Sequence, residues 1–286
     1  MKIGIIVDSS ASLPLEMEAP SIRVVPHFIN YENHSILDFA NATVANYIRS
    51  LDPLSRPKTA HPSPNQFLLA ITDLLANGYD TIIILTVSSK ISGTYNSALL
   101  GRAIAIDDLG LREESIRVID TDQLAMGHGL IAVESIQAIQ TGYGINQLLN
   151  MIEQLKKLIH SYYLVSDISF LIAGGRIKLD HFSPKPIGKC YLLEISNGQL
   201  IITDAAHEFH KLQEKFINRL QNEFAPTKIC KFAINYVGAE EIIIKLRGNF
   251  QNYVNNEQFF QGPFSAALSI HLGYDTVGVF GWVAEQ

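Results

Sequence analysis

Apolar positions along the first half of the chain fall into short solid runs separated by longer helical periodicities. "KIGIIVD" (2–8) and "GYDTIIILTV" (78–87) each hold an unbroken apolar core, the signature of strands buried on both faces of a parallel sheet. Between them, Phe67, Leu68, Ile71, Leu74 and Leu75 recur on one face of a helix predicted over Pro64 to Ala76. Ser63 supplies an N-cap and Pro64 a first helical residue. "SIRVVPHFI" reads as another strand, and so does "SIRVID" (115–120) after a helix ending near Ile106. Two further helices are predicted over Gly127–Gln140 and Ile145–Ser161. Strands alternating with helices imply a parallel, three-layer α/β domain.

Past Tyr162 the pattern changes. "KCYLLEI" and "QLIIT" flank Ser196-Asn197-Gly198, and an Asn-Gly step between apolar runs predicts a hairpin. Helices follow over Ala205–Phe224, Ala239–Gly248 and Pro263–Leu272, with "KICKFAINYV" and the closing "TVGVFGWV" as strands. The expected fold class is therefore α/β: an N-terminal parallel three-layer domain, residues 1–162, and a C-terminal α+β domain with a mixed or antiparallel sheet, residues 163–286.

Composition narrows the function. Apolar residues make up 47% and charged residues 17% of 286, which is globular. A net charge of −6 without any basic run argues against nucleic acid as a partner. No stretch approaches the roughly 18 apolar residues of a spanning helix, and the first apolar run is too short for a signal core. A cytoplasmic protein without stable membrane insertion is expected. Cys190 and Cys230 both sit in apolar strand contexts and read as buried thiols.

Ligands of open parallel sheets bind beyond the carboxyl ends of the strands. "TVSSKISGTYNSA" (86–98) lies at such an end. Its Ser92-Gly93 step lets backbone approach a ligand, and the helix that follows offers free N–H groups to an anion. The same hydroxyls could equally cap that helix, and both readings stand on the residues. In "KTAHPSPNQF", Ser63 is accounted for by capping, whereas Thr59 precedes the helix in a predicted loop where a ligand contact would sit. Gly174-Gly175 should end a short helix, leaving Arg176 either as an anion clamp or as a surface residue. His271 in "LSIHLGYD" reads first as a core histidine. His207-Glu208-Phe209-His210 lacks the HExxH spacing, and Asp120 and Asp122 have no histidine at metal-ligand spacing. Neither a P-loop, a GxGxxG nor a GxSxG elbow occurs. No catalytic residues, metal or cofactor are therefore assigned.

The segments "VDSSASLP", "VVPHFIN", "TAHPSP", "SSKISGTYNSA", "VIDTDQLAMGHG" and "GGRI", in that order, resemble the DegV family of bacterial fatty-acid-binding proteins from end to end. The resemblance implies two α/β domains with a long-chain fatty acid buried between and within them, and the C-terminal domain carrying the lipid tunnel. It implies a carboxylate held by Thr59, Ser92 and the amide of Gly93, with Arg176 and His271 near it. His61, in the position where the family usually has glutamine, joins them as a candidate ligand contact. It further implies a non-enzymatic carrier that presents the acid to a fatty-acid kinase and carries the acyl-phosphate, with a monomer expected. Two alternatives stay open: an enzyme acting on a small phosphate or carboxylate ligand at the interdomain crevice, and a lipid sensor without a kinase partner. The chain departs from the family at Ala60-His61, at Cys190-Tyr191 and at Tyr274-Asp275, where the family's Gly-Pro-Gly would continue from Gly273.

Overall fold

The computed structural model describes residues 2–13, 17, 19–31, 34–38, 57–177, 190–224, 229–250 and 259–283. Its first sheet is wholly parallel. Strands β1 (Ile3–Asp8), β2 (Ile22–Val25), β6 (Thr81–Thr86) and β7 (Ile116–Asp120) lie in the order β2-β1-β6-β7. All six residues of β1 and of β6 are buried, as their unbroken apolar runs require. Side chains alternate across the strand. Ile6, Ile82 and Ile84 therefore face helices α1 (Pro64–Ala76) and α2 (Thr94–Leu109), while Ile5, Val7, Ile83 and Leu85 face the opposite way. Ser63 is the N-cap as the sequence predicts, and Gln66 completes a capping box, its N–H donating to Ser63 Oγ while Ser63 N–H donates to Gln66 Oε1.

"SIRVVPHFI" is not one strand. Pro26 has no N–H to give a ladder, and beyond it the chain turns into β3 (Phe28–Asn30). That strand pairs antiparallel with β4 (Ser35–Leu37) and β5 (Lys58–Ala60), a small three-stranded sheet. Thr59 thus sits in a strand rather than in the predicted loop, fixed by the Ile29–Thr59 register.

The second sheet runs β10-β9-β8-β13-β11-β12, from β8 (His160–Val165), β9 (Cys190–Ser196), β10 (Gln199–Ala206), β11 (Ile229–Val237), β12 (Phe259–Pro263) and β13 (Thr276–Val283). All its pairs are antiparallel except β11 with β12, so the sheet is mixed as expected. The predicted Asn-Gly hairpin joins β9 to β10, with Asn197 and Gly198 both at positive φ. Three boundaries need correction. The helix α4 (Ile145–Leu158) stops before Ser161, because "HSYYLV" pairs with both β13 and β9. The change of sheet consequently falls ahead of His160, and a division after residue 162 cuts through β8. Likewise the residues before α8 (Ala266–Leu272) form β12, and "DAA" extends β10 ahead of α6 (Phe209–Phe224). Helix α7 (Glu240–Phe250) follows β11, and a short α5 (Ser169–Ala173) follows β8.

The third layer expected of the first domain is shared with the second. Helix α3 (Met126–Gln140) contacts β1 and β6 on one side and β11 and β13 on the other. Eleven of its fifteen residues are buried, as befits a helix packed between two sheets, and Gln137 and Gln140 reach solvent near its end. Glycines allow the close fit: a Cβ on Gly127 would lie 2.5 Å from Ser161 Oγ of β8, and one on Gly129 2.7 Å from the Ala11 carbonyl. Asn235 Oδ1 of β11 accepts the N–H of Met126 at 3.0 Å, capping α3 from the second sheet. One continuous apolar core therefore joins Ile5 and Leu85 of the first sheet to Tyr163, Ala233 and Phe280 of the second. A separate cluster under α6 and α7, including Phe216, Phe232 and Leu246, covers the second sheet's far face. Because one apolar core runs through both halves, calorimetry of the purified chain should show one cooperative unfolding transition. Two resolved transitions would contradict this reading of the core.

Candidate functional site

At the carboxyl end of β6 the chain leaves the sheet through "VSSKISG". Val87 N–H donates to Asp8 Oδ2 at 2.8 Å, tying together the ends of β6 and β1. Ser88 Oγ donates to the Gly198 carbonyl at 2.7 Å, which docks this loop onto the hairpin of the second sheet. Ser89 N–H donates to Asp120 Oδ2 of β7. None of the three serines is the N-cap of α2. Gly93 takes that position, without a side-chain cap. The first N–H groups of a helix have no intrahelical acceptor, and here Ser92, Gly93 and Asn96 line a cavity of about 520 Å³.

All six candidate residues, Thr59, His61, Ser92, Gly93, Arg176 and His271, line that one cavity. Thr59 Oγ1 of β5 lies 2.6 Å from His271 Nε2 of α8, a hydrogen bond between residues 212 apart in sequence. His271 is thus engaged at the cavity wall rather than enclosed in the core. The His61 ring lies against Gly93, where a Cβ would come within 2.7 Å of its Cδ2. Its Nδ1 is 3.0 Å from Ser97 Oγ of α2. Gly174-Gly175 ends α5 as predicted, with Gly175 at φ +71°, and Arg176 then turns back so that Nη1 donates to the Gly174 carbonyl. Burial lowers the Arg176 pKa, although a guanidinium keeps its charge at any ordinary pH.

The cavity is not confined to the C-terminal half, where the tunnel is expected. Val87 and Leu124 come from the first half, and Leu171, Leu200, Leu268 and Leu272 from the second. Thr59 of the first half meets His271 of the second in the cavity wall, which Ser92 and Gly93 also line.

Sequence reasoning passed over Ser10 and His27, which also line the cavity. The signal was available in part, because Asp8-Ser9-Ser10 follows β1 just as the serine-rich motif follows β6. Asp8 is fully buried and accepts from Ser10 N–H at 3.1 Å and from Ser10 Oγ. The family departure at Tyr274-Asp275 also has a structural account: the Tyr274 ring packs over Gly238, and Asp275 Oδ1 accepts the Ala239 N–H at 3.2 Å. Cys190 is a free, buried thiol whose pKa is pushed up by that burial. The side chain of Cys230 lies outside the described residues. Among the described residues no cluster of three or more His, Cys, Asp or Glu could hold a metal ion, and no helix is long and apolar enough to cross a membrane.

A parallel α/β sheet and a mixed sheet thus share one core beside this cavity. A family model described as "Uncharacterised protein, DegV family" matches residues 2–283, and the chain belongs to the DegV family. The fatty acid-binding protein of Thermotoga maritima is 28% identical over 296 residues, covering 97% of this chain and 96% of its own. A DegV lipid binding protein from Thermotoga maritima superposes with a TM-score of 0.85 at 26% identity, over all of both chains. A fatty-acid-binding DegV family protein from Thermus thermophilus also gives 0.85, at 23% identity over 99% of this chain and 100% of its own.

Proposed function

We propose that this protein binds a long-chain fatty acid, with the carboxylate at Thr59, Ser92 and the Gly93 amide and the acyl chain along Leu124, Leu171, Leu200 and Leu268. The observation that carries the proposal is a single cavity lined both by polar residues, Thr59, Ser92 and His271 among them, and by five leucines. Its volume of about 520 Å³ falls within the roughly 300–1,000 Å³ usual for ligand pockets. Each methylene buried contributes about 0.8 kcal/mol, so the tail supplies most of the affinity and the polar residues set orientation. Neutral hydroxyls and an amide orient a carboxylate without neutralising it, which leaves it nucleophilic. On that ground we extend the proposal to presentation of the acid to a fatty-acid kinase, with Arg176 stabilising charge on the transferred phosphoryl group. The protein then carries the acyl-phosphate and performs no chemistry of its own.

Mass spectrometry of an organic extract of the purified protein should find a long-chain fatty acid. After delipidation the protein should rebind oleate, and with ATP and a fatty-acid kinase it should yield the acyl-phosphate. A lipid-free extract together with failure to bind oleate would sink the carrier reading. Binding without phosphotransfer would leave a lipid sensor.

A further inference from the structure

Behind Ser92 a chain of hydrogen bonds runs inward to a buried histidine. Ser92 Oγ lies 2.8 Å from Thr94 Oγ1, and Thr94 Oγ1 lies 3.3 Å from His27 Nε2. On the other side of the ring, His27 Nδ1 is 3.1 Å from Ser9 Oγ. Ser9 Oγ donates to Asp38 Oδ2 at 2.7 Å and accepts the His27 backbone N–H at 3.0 Å. Asp38 Oδ1 in turn accepts the Ala267 N–H of α8 at 3.1 Å. Asp38 and Thr94 are wholly buried, and His27 is 7% exposed.

Counting donors fixes one end of this chain. A hydroxyl has one proton and two lone pairs. The Ser9 proton goes to the Asp38 carboxylate, which can only accept, so Ser9 meets Nδ1 with a lone pair and Nδ1 carries a hydrogen. The other end has two states in which every link of the chain is bonded. With His27 neutral, Nε2 is bare and accepts from Thr94, Thr94 accepts from Ser92, and the Ser92 proton points inward. A Ser92 hydroxyl in that state turns only lone pairs to the cavity and repels a carboxylate. With His27 charged, Nε2–H donates to Thr94, Thr94 donates to Ser92, and the Ser92 proton is free to donate outward.

We propose that binding of a carboxylate at Ser92 draws one solvent proton onto His27, which thereby becomes the buried counter-charge of the ligand through Thr94 and Ser92. This inference rests on the fatty-acid reading above and adds a positioning residue to it. Two carboxylates stand near the ring: Asp8 Oδ1 of β1 is 3.9 Å from Nδ1, and Asp38 stands behind Ser9. His128 of α3 is a titratable group that could oppose a cation there, and Lys90 and Arg176 line the same cavity as His27. Full burial lowers the His128 pKa and keeps that ring neutral, with Nε2–H donating to the Leu85 carbonyl at 3.1 Å. No atom of His27 needs to touch the ligand.

The experiment titrates delipidated protein with oleate at mildly alkaline pH in two buffers of different ionisation enthalpy. Uptake of about one proton per bound oleate is expected, with affinity falling about tenfold for each pH unit gained. Nitrogen-15 spectra of histidine-labelled protein should show both His27 nitrogens protonated only when oleate is bound, while carbon-13 carboxyl-labelled oleate stays ionised. Thr94→Val, which leaves Ser9 and Asp38 on His27 but cuts it from Ser92, should still bind oleate, more weakly, and without proton uptake. Oleate binding with Nε2 bare, or with the proton on the oleate carboxyl, overturns the proposal. Failure of the wild-type protein to bind oleate at all overturns the carrier reading as well, and is separated from the first result by the absence of any binding heat.

Discussion

Gly273→Ala is expected to lower the stability of the fold by roughly 2–5 kcal/mol and to weaken fatty-acid binding along with it. Gly273 closes α8 at φ +79° and ψ 176°, a region of backbone space that is almost the preserve of glycine. A Cβ there would also stand 2.7 Å from Cδ2 and 3.1 Å from Cγ of Phe170. Phe170 belongs to α5, whose end carries Gly174, Gly175 and Arg176, while α8 carries His271. The substitution therefore pushes apart the two helices that bring Arg176 and His271 to the cavity. Chemical denaturation and oleate titration on the same samples check it. Gly248→Ala serves as the control, because a Cβ on that helical glycine meets nothing within 4 Å and alanine is the better helix former. Equal stability of the Gly273 and Gly248 variants would refute the argument.

The second large effect is expected at the carboxylate. Thr59→Val keeps the branched shape in β5 but removes the hydroxyl that meets His271 Nε2 at 2.6 Å. Hydrogen bonds involving charged groups contribute about 1.5–3 kcal/mol, so affinity for oleate should fall roughly 10- to 100-fold. The leucine-lined wall is untouched, and saturation should still be reached at higher oleate concentration. A short-chain acid, which lacks the tail contribution, should lose measurable binding altogether. Oleate affinity equal to that of the wild type would remove Thr59 from the site.

What could be read from the sequence follows from where the determining partners lie. β1 and β6 were legible because burial on both faces writes itself into consecutive residues. The place of the serine-rich motif on the cavity wall was legible because its position, at a strand's carboxyl end ahead of a helix, is a local property. Thr59 was misplaced in a loop because β5 is three residues long and owes its existence to β3, some 30 residues earlier in the chain. His160 and Ser161, the first two residues of β8, read as the tail of a helix because Leu158 and Ile159 prolong the apolar spacing of α4. The strand character of β8 comes from β13, more than 100 residues later. His27 and Asp38 were invisible as a pair for the same reason. One histidine and one aspartate carry no pattern until the fold sets Ser9 between them. The sharing of α3 between two sheets left only a hint, in a helix that is mostly apolar.

That shared helix has a kinetic consequence. Proteins that enclose ligands between two rigid lobes commonly admit and release them by swinging about a hinge. Here the middle layer is core to both sheets, and opening the halves like jaws would drag Ile5, Leu85, Tyr163 and Phe280 apart into water. That is unfolding, not gating. A ligand of the cavity is therefore expected to enter and leave by small displacements at its rim, in short segments such as α5 and the Ser88–Gly93 loop, and substitutions that stiffen them should lengthen its residence time.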